Sequence, residues 1–242
     1  MSIRTLLCVV ICLLPMVSGC AGGSAGAGAG TIVVVTGVNG DGPWYSDLRR
    51  GLTDGRVHRR IETFGWGLPG PLFAMNFNSK PIHHAAERRL AARIKVLAGQ
   101  QTSGPIAIVA HSAGAGVAMG ALARLPEGLT VDQVILLHPS LSPQFDLSPG
   151  LTKIDQRLIV FHSERDTTFL QWRTGTFGTY DGVRTTAAGN RGFDLSSLAP
   201  ELRQKVVQRA YEPQFAELGN DGGHFGVTSR RFVAEVIAPF LR

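Results

Sequence analysis

Short apolar runs rich in β-branched residues alternate along the chain with stretches of helical periodicity. The apolar runs predict strands over residues 31–36, 60–64, 106–109, 131–137, 158–161 and 206–211. The periodic stretches predict helices over residues 44–52, 81–98, 113–125, 198–205 and 229–241. Strands that are apolar on both faces and alternate with helices are typical of parallel sheets with helices on both sides. The pattern therefore predicts an α/β domain built around a mostly parallel central sheet.

The first 19 residues have the features of an export signal and are not expected to join this domain. Arg4 supplies a positive start, residues 6–14 form an apolar run, and small residues precede Cys20. The run is too short for a comfortable membrane span. This pattern resembles the lipobox of bacterial lipoproteins, which implies cleavage before Cys20 and acylation of that residue, for example with palmitate. A plain signal peptide cut nearby is the alternative interpretation.

The lipoprotein resemblance implies a place in the cell envelope, facing the periplasm or the exterior. Ala21 is not Asp, and by the lipoprotein sorting pattern this favours the outer membrane as the site of the lipid anchor. Residues 20–30 are a Gly/Ala-rich tether that cannot build a core. No repeat or second linker follows, so residues 31–242 are expected to form one domain, and a monomer is expected. No cysteine remains in that domain, so it has no internal disulfide.

Composition and charge exclude some partners and cofactors. The formal net charge of +6 is mildly basic and suits either a solvated surface or an anionic membrane. No dense Lys/Arg run with interleaved aromatic residues is present, so no nucleic-acid partner is expected. No His pair or carboxylate cluster has the spacing of metal ligands, so neither a metal nor another cofactor is expected.

A glycine-rich loop after the first strand raises the alternative of a dinucleotide-binding enzyme. Gly37, Gly40 and Gly42 imitate a dinucleotide fingerprint, but their spacing is one residue short of the short-chain dehydrogenase pattern. None of the tyrosines is followed four positions later by the lysine that such chemistry uses. The dehydrogenase hypothesis is therefore disfavoured.

The segment A-H-S-A-G, residues 110–114, lies between a predicted strand and a predicted helix. It matches the G-x-S-x-G nucleophile elbow except that Ala110 replaces the first glycine. Small neighbours are needed because Ser112 must occupy a strained turn between the strand and the helix. The alternative is a serine in an ordinary small-residue turn, which the flanking strand and helix disfavour.

A serine nucleophile needs a base and a group that orients the base, and the chain offers both in the order that this kind of fold uses. Asp166 follows the predicted strand 158–161 in S-E-R-D, and His224 lies in the glycine-rich segment G-G-H-F before the last helix. Asp146 is the second candidate for the carboxylate, and Asp155 and Asp181 are weaker ones.

Together, the elbow, S-E-R-D and G-G-H-F make the chain from residue 31 onward resemble the α/β-hydrolase superfamily, whose small Bacillus lipases share the alanine at the first elbow position. The resemblance implies that Ser112 is the nucleophile, His224 the general base and Asp166 its orienting carboxylate. It also implies an oxyanion hole made by the backbone N–H groups of Val38 and Ala113, with Asn39 as the fallback for Val38. The expected activity is that of a serine hydrolase, an esterase or lipase acting on small-molecule or lipid esters.

Several expectations accompany this assignment. The long interval between Asp166 and His224 predicts that residues 167–200 are an insertion forming a flexible wall of the site, and the short interval between residues 137 and 157 leaves no room for a helical cap. His111, His138 and His162 are interpreted as packing or structural residues, and His58, His83 and His84 as surface residues. The rival functional hypothesis is a membrane-anchored binding lipoprotein that keeps the scaffold without catalysis.

Overall fold

The computed structural model describes residues 29–69, 72, 75–100, 104–168, 170, 174 and 178–242. The predicted signal segment 1–19, the predicted lipidation site Cys20 and most of the tether lie outside these residues. Among the helices in the described part of the chain, none is both long enough and apolar enough to cross a membrane.

Six parallel strands form one sheet in the order β2-β1-β3-β4-β5-β6. Their bounds are β1 Thr31–Val35, β2 Arg60–Phe64, β3 Ile106–His111, β4 Val131–Leu137, β5 Ile154–His162 and β6 Val206–Ala210. The chain moves outward from β1 to β2 and then crosses back to place β3 on the other side of β1. In open α/β sheets, ligands bind at the carboxyl edge where the strand order reverses, which in this sheet lies between β1 and β3.

Helices cover both faces of the sheet. They are α1 Pro43–Asp54, α2 Lys80–Ala98, α3 Gly114–Leu122, α4 Ser148–Leu151, α5 Ala188–Arg191, α6 Pro200–Arg203 and α7 Arg230–Phe232. Alternate residues of the strands point to opposite faces, so that Ile108 packs with α2 and α3 while Val109 packs with α1 and the C-terminal segment. Both faces of the central strands are therefore buried, as their apolar sequences require.

Some boundaries differ from the prediction for local reasons. The helix predicted over residues 113–125 ends at Leu122. The residues that follow make 3-10 hydrogen bonds, and Pro126 disfavours a helical conformation of Leu125. The helix predicted over 229–241 is α7 followed by a π-helical turn Val233–Ile237 and a 3-10 turn Ala238–Leu241. Pro239 has no N–H to donate and crowds the carbonyl of Glu235, which explains the change of helix type.

Candidate active site

The turn after β3 holds Ser112 in a conformation that non-glycine residues rarely adopt. Its φ is +57°, in the left-handed region. The turn is fixed on both sides, because the Ser112 N–H donates to the carbonyl of Leu137 at 3.0 Å and its carbonyl accepts from the Ser140 N–H at 3.1 Å. The start of α3 lies so close to the end of β1 that a Cβ on Gly114 would lie 2.8 Å from the Val35 carbonyl oxygen. Glycine at this position is therefore required for α3 to begin directly after Ser112.

The loops after β5 and β6 bring Asp166 and His224 to the Ser112 side chain. His224 Nε2 lies 3.0 Å from Ser112 Oγ, and His224 Nδ1 lies 2.6 Å from Asp166 Oδ2. A carboxylate can only accept, so Nδ1 carries the proton and Nε2 is left to accept the Ser112 hydroxyl proton. The sequence assigned these three residues as a group, and the structure brings them within hydrogen-bond distance of each other.

Asp166 is ionised although it is almost completely buried, with 2% of its surface exposed. Burial raises the pKa of its carboxyl, but hydrogen bonds from His138 and His224 lower it by more, and the net result is a pKa well below the usual range. A charged carboxylate in this place fixes the His224 ring in one tautomer and stabilises the imidazolium form of that ring.

His138 is a second imidazole on the same carboxylate oxygen. Its Nδ1 lies 3.3 Å from Asp166 Oδ2, its side chain is buried, and its backbone φ is +45°. Burial lowers the pKa of His138, so the ring is neutral at pH 7 and donates its Nδ1 proton to Asp166. The interpretation of His138 as a merely structural residue missed this contact. The available signal was its place at the end of β4, between the strands that carry Ser112 and Asp166.

The two residues predicted to form an oxyanion hole lie beside Ser112. Val38 follows β1, Ala113 follows Ser112, and both line the same pocket as Ser112 and His224. In the described part of the chain, the N–H groups of Val38 and Ala113 donate to no other residue. The loop that carries Val38 is held by Asn76, whose side-chain amide donates to the Val38 carbonyl at 3.1 Å. Two backbone donors without an acceptor among the described residues thus lie beside Ser112, as an oxyanion hole requires.

The pocket above Ser112 is lined mainly by apolar and aromatic side chains. Trp44 and Phe225 lie with ring centroids 4.3 Å apart, and Phe77 and Leu170 complete the apolar lining. A neutral, apolar group is the ligand that such a pocket accommodates best.

The described end of the insertion, from residue 178 onward, is anchored to the body of the protein. The Tyr180 hydroxyl donates to Glu87 of α2 at 2.9 Å, and the Tyr180 N–H donates to the Ser140 carbonyl at 2.8 Å. The Tyr180 ring stacks on His83 at 3.9 Å. The expectation that His83 is a surface residue is wrong, because its ring is buried against Trp66 and Tyr180. Among the described residues of the insertion, Leu170, Thr174 and Gly178 line the pocket, whereas Tyr180 does not line it and holds the insertion against α2.

The rival carboxylates are engaged elsewhere. Asp146 accepts from the Ser148 N–H at 2.9 Å, Asp155 accepts from the Thr130 hydroxyl at 2.8 Å, and Asp181 accepts from the Ser142 N–H at 2.9 Å. Asp146 and Asp155 are exposed. Of the four candidate carboxylates, Asp166 is the one that contacts His224.

Within the described residues, His138, Asp166 and His224 also form a group that could hold a metal ion, with ligand atoms within 4.8 Å of one another. A tetrahedral zinc ion with bonds of about 2.0 Å keeps its ligand atoms roughly 3.3 Å apart. The 2.6 Å between His224 Nδ1 and Asp166 Oδ2 is too short for both atoms to bind one ion and is typical of a charge-assisted hydrogen bond. The arrangement fits proton transfer better than metal binding.

In sequence, the chain matches no protein-family model and no curated protein. In structure, it is similar to esterase PE8, with a TM-score of 0.53 and 15% identity over 90% of this chain and 94% of that one. It is also similar to the Pyrococcus furiosus esterase Pf2001, with a TM-score of 0.54 and 13% identity over 90% and 83% of the two chains.

A third similar structure is Aspergillus fumigatus lipase B, with a TM-score of 0.56 and 13% identity over 90% of this chain. The match covers 53% of that lipase, so the chain spans about half its length. At these identities the likeness concerns the fold. Together with the parallel six-stranded sheet and its flanking helices, it confirms the prediction that the chain has the α/β-hydrolase fold.

Proposed function

We propose that the protein is a serine hydrolase that cleaves carboxylic esters through an acyl-enzyme intermediate. The observation that carries this proposal is the alignment of Ser112 Oγ, the His224 ring and Asp166 Oδ2, with contacts of 3.0 and 2.6 Å. A serine hydroxyl is a weak nucleophile at neutral pH, and a neutral imidazole in hydrogen-bond contact with it is the base that it needs.

In the proposed mechanism, Ser112 Oγ attacks the ester carbonyl carbon while His224 Nε2 takes the hydroxyl proton. The tetrahedral intermediate then expels the alcohol, which receives that proton from His224, and the acyl group stays on Ser112. Water attacks the acyl-enzyme by the same route, giving the carboxylic acid and the free serine. Asp166 keeps its negative charge throughout and stabilises the imidazolium form of His224.

The proposed oxyanion hole consists of the N–H groups of Val38 and Ala113. These groups flank Ser112 at the switch point of the sheet, where the carbonyl oxygen of a bound ester becomes negatively charged. Loss of one such donor costs about 3 to 4 kcal/mol of transition-state stabilisation in comparable enzymes.

The proposed substrates are small-molecule or lipid esters with an uncharged acyl group. The apolar lining around Trp44, Phe77 and Phe225 supports this choice. The solved structures with the same fold include proteins described as esterases and as a lipase, which agrees with ester chemistry.

The test is hydrolysis of p-nitrophenyl esters of graded chain length by the wild-type chain and by Ser112→Ala. We expect turnover by the wild type and no turnover above background by Ser112→Ala. Ser229→Ala is the matched control, because the Ser229 hydroxyl donates to the Leu218 carbonyl and does not line the pocket. Equal turnover by Ser112→Ala and the control would exclude this mechanism. Absence of turnover in all of them would favour a binding protein.

We further propose that the chain is anchored to the bacterial outer membrane by a lipid on Cys20, as its lipobox-like N-terminus suggests. In a bacterial host, the full chain should partition into the detergent phase of Triton X-114, and Cys20→Ser should remain in the aqueous phase. Separation of the inner and outer membranes then locates the anchored form. Detergent partitioning that is unaffected by Cys20→Ser would contradict the anchor.

A further inference from the structure

A chain of buried hydrogen bonds links the loop after β1 to the loop after β6. The Gly37 N–H donates to the Tyr45 hydroxyl oxygen at 2.5 Å, and that hydroxyl lies 2.9 Å from His111 Nδ1. On the other side of the same ring, His111 Nε2 lies 2.9 Å from the backbone carbonyl of His224. Tyr45 and His111 are each 1% exposed, so water does not compete for these contacts.

The chemistry of the two ends fixes the direction of every bond in this chain. An amide N–H can only donate and a carbonyl can only accept. The Tyr45 oxygen therefore accepts from Gly37 and donates its own proton to His111 Nδ1, and His111 Nε2 carries the proton that it donates to His224. One tautomer of His111 satisfies all three bonds, and in that tautomer the ring is neutral.

The buried surroundings keep both side chains in these forms. Burial raises the pKa of the Tyr45 hydroxyl and lowers the pKa of His111 well below its usual range. Neither group changes charge near neutral pH, so the chain of bonds keeps its direction over the range in which the enzyme is expected to work.

The residues at the two ends of this series of hydrogen bonds belong to, or adjoin, the proposed catalytic machinery. Gly37 precedes Val38, whose N–H belongs to the proposed oxyanion hole, and His111 directly precedes Ser112. The third member, His224, is the proposed base. These three parts come from three different strand ends, and the two outer loops are rich in glycine.

We propose that Tyr45 and His111 are positioning residues that hold the oxyanion loop and the His224 loop in register with Ser112. The inference rests on the proposed function. The hydrogen bonds of the two side chains go to each other and to backbone groups, and the His111 ring also packs against the His224 ring, with 4.8 Å between centroids. The two side chains act through the backbone of Gly37 and His224, where a misplacement of about 1 Å is enough to cost roughly 100-fold in rate.

The first test compares Tyr45→Phe with Tyr180→Phe. Both changes remove one hydroxyl that is hydrogen-bonded within the protein, but the half-buried Tyr180 hydroxyl bonds to Glu87 of α2 and is not part of the chain of bonds between the loops. We expect kcat of Tyr45→Phe to fall about 10- to 100-fold with KM changed less than about threefold. Tyr180→Phe should keep kcat within about twofold of wild type. Equal kcat losses in the two variants, or none in Tyr45→Phe, would overturn the proposal.

The second test uses two replacements of His111. Gln keeps an N–H donor near the position of His111 Nε2, whereas Leu has none, so His111→Gln should retain more activity than His111→Leu. In the double variant of His111→Leu with Tyr45→Phe, the second change should add little to the first, because one connected chain can be broken only once. Fully multiplicative losses in kcat would contradict a connected chain.

Two measurements that do not depend on enzyme activity, 15N NMR and hydrogen exchange, test the positioning role separately from the proposed function. Imidazole 15N NMR should find His111 with a proton on Nε2 and none on Nδ1 from pH 5.5 to 8. Hydrogen exchange of the Gly37 amide should be faster in Tyr45→Phe and unchanged in Tyr180→Phe. A proton on Nδ1, or unchanged exchange in Tyr45→Phe, would refute the chain of bonds even in an active enzyme. The expected NMR result with no ester turnover would refute the hydrolase proposal alone.

Discussion

The turns after β3 and β4 are neighbours at one edge of the sheet, and both contain a strained non-glycine residue. Ser112 has a φ of +57° and His138 a φ of +45°, a conformation that costs of order 1 to 3 kcal/mol at each position. After Ser112 comes Ala113, which lines the pocket, and α3 begins at the next residue, Gly114. After His138, Pro139 follows and the next helix, α4, begins at Ser148.

The difference between the two turns lies in what each side chain reaches. The Ser112 hydroxyl points into the pocket, whereas the His138 ring points away from it to Asp166 Oδ2. Backbone strain thus has two different uses in this protein, since one turn places the proposed nucleophile in the pocket and the other supports a carboxylate. In the predictions below, changes to the reacting group and its carboxylate have the largest effects, and changes to the local turn have the smallest.

The largest effect in this comparison is expected for Asp166→Asn. The amide preserves the shape of the side chain but can present an N–H to His224, which favours the wrong tautomer of the base. We expect kcat on a p-nitrophenyl ester to fall about 10⁴-fold. Asp146→Asn is the control, because Asp146 is exposed and contacts its own loop, and its kcat should stay within about twofold of wild type. A larger loss for Asp146→Asn would mean that the acid is wrongly assigned.

Substitutions of His138 should have an intermediate effect on kcat, and its size should depend on whether the new side chain can donate a hydrogen bond to Asp166. A hydrogen bond to a charged group contributes about 1.5 to 3 kcal/mol, so His138→Leu should lose about 10- to 100-fold in kcat. His138→Asn places an amide N–H near the position of Nδ1, and asparagine tolerates a positive φ, so it should retain most of the activity. Indistinguishable kcat values for the Leu and Asn variants would show that His138 only packs.

The histidines whose pKa is lowered by burial also predict how stability depends on pH. In the unfolded chain each titrates near 6.5, and in the folded protein burial lowers the pKa of four of them, His83, His111, His138 and His162. Below about pH 6.5 the unfolded state therefore binds protons that the folded state does not, and the free energy of unfolding falls as pH falls, by up to about 1.4 kcal/mol per pH unit for each histidine. Urea unfolding of wild type from pH 7.5 to 5 should follow this trend.

His138→Asn sharpens the same measurement, because it removes one of these four histidines and keeps the proposed contact to Asp166. Its stability should change less steeply with pH than that of wild type. The Asp166 carboxyl, with its lowered pKa, adds stability that is lost only at pH values below about 4, outside this range. A slope equal to that of wild type would mean that His138 is protonated in the folded protein.

The smallest effect is expected at the start of the Ser112 turn. Ala110 is fully buried at the position where the elbow pattern usually has glycine. Because Ala110 lies in the regular part of β3, Ala110→Gly should leave kcat within about twofold of wild type. It should lower the free energy of unfolding by about 0.5 to 1 kcal/mol, since glycine is entropically costly in a strand. A tenfold change in kcat would show that the local turn itself limits catalysis.

The sheet and the Ser112 turn could be predicted because their constraints are local. Buried parallel strands need continuous apolar runs, and the prediction of β4 over residues 131–137 agrees with the structure at both ends. The crowding of Gly114 against β1 explains why small residues surround Ser112, and that requirement is visible in five consecutive letters of the sequence.

Contacts between distant loops were harder to predict, because no local pattern encodes them. Two such features depend on how five strand ends meet at one edge of the sheet. They are the contact of His138 with Asp166 and the series of hydrogen bonds through Tyr45 and His111. The prediction for His83 failed for the same reason. Much of α2 is exposed to solvent, but the Tyr180 ring of the insertion stacks on His83 and covers it. Prediction of such contacts needs the strand order as well as the sequence.

The most direct test of the central claim is the site and rate of covalent labelling by a fluorophosphonate, followed by intact mass and peptide mapping. We expect one adduct per chain on Ser112, much slower labelling of His224→Ala, and no adduct on Ser112→Ala. Labelling of Ser112→Ala at the wild-type rate, or an adduct mapped to another serine, would contradict the claim that His224 and Asp166 activate the Ser112 hydroxyl.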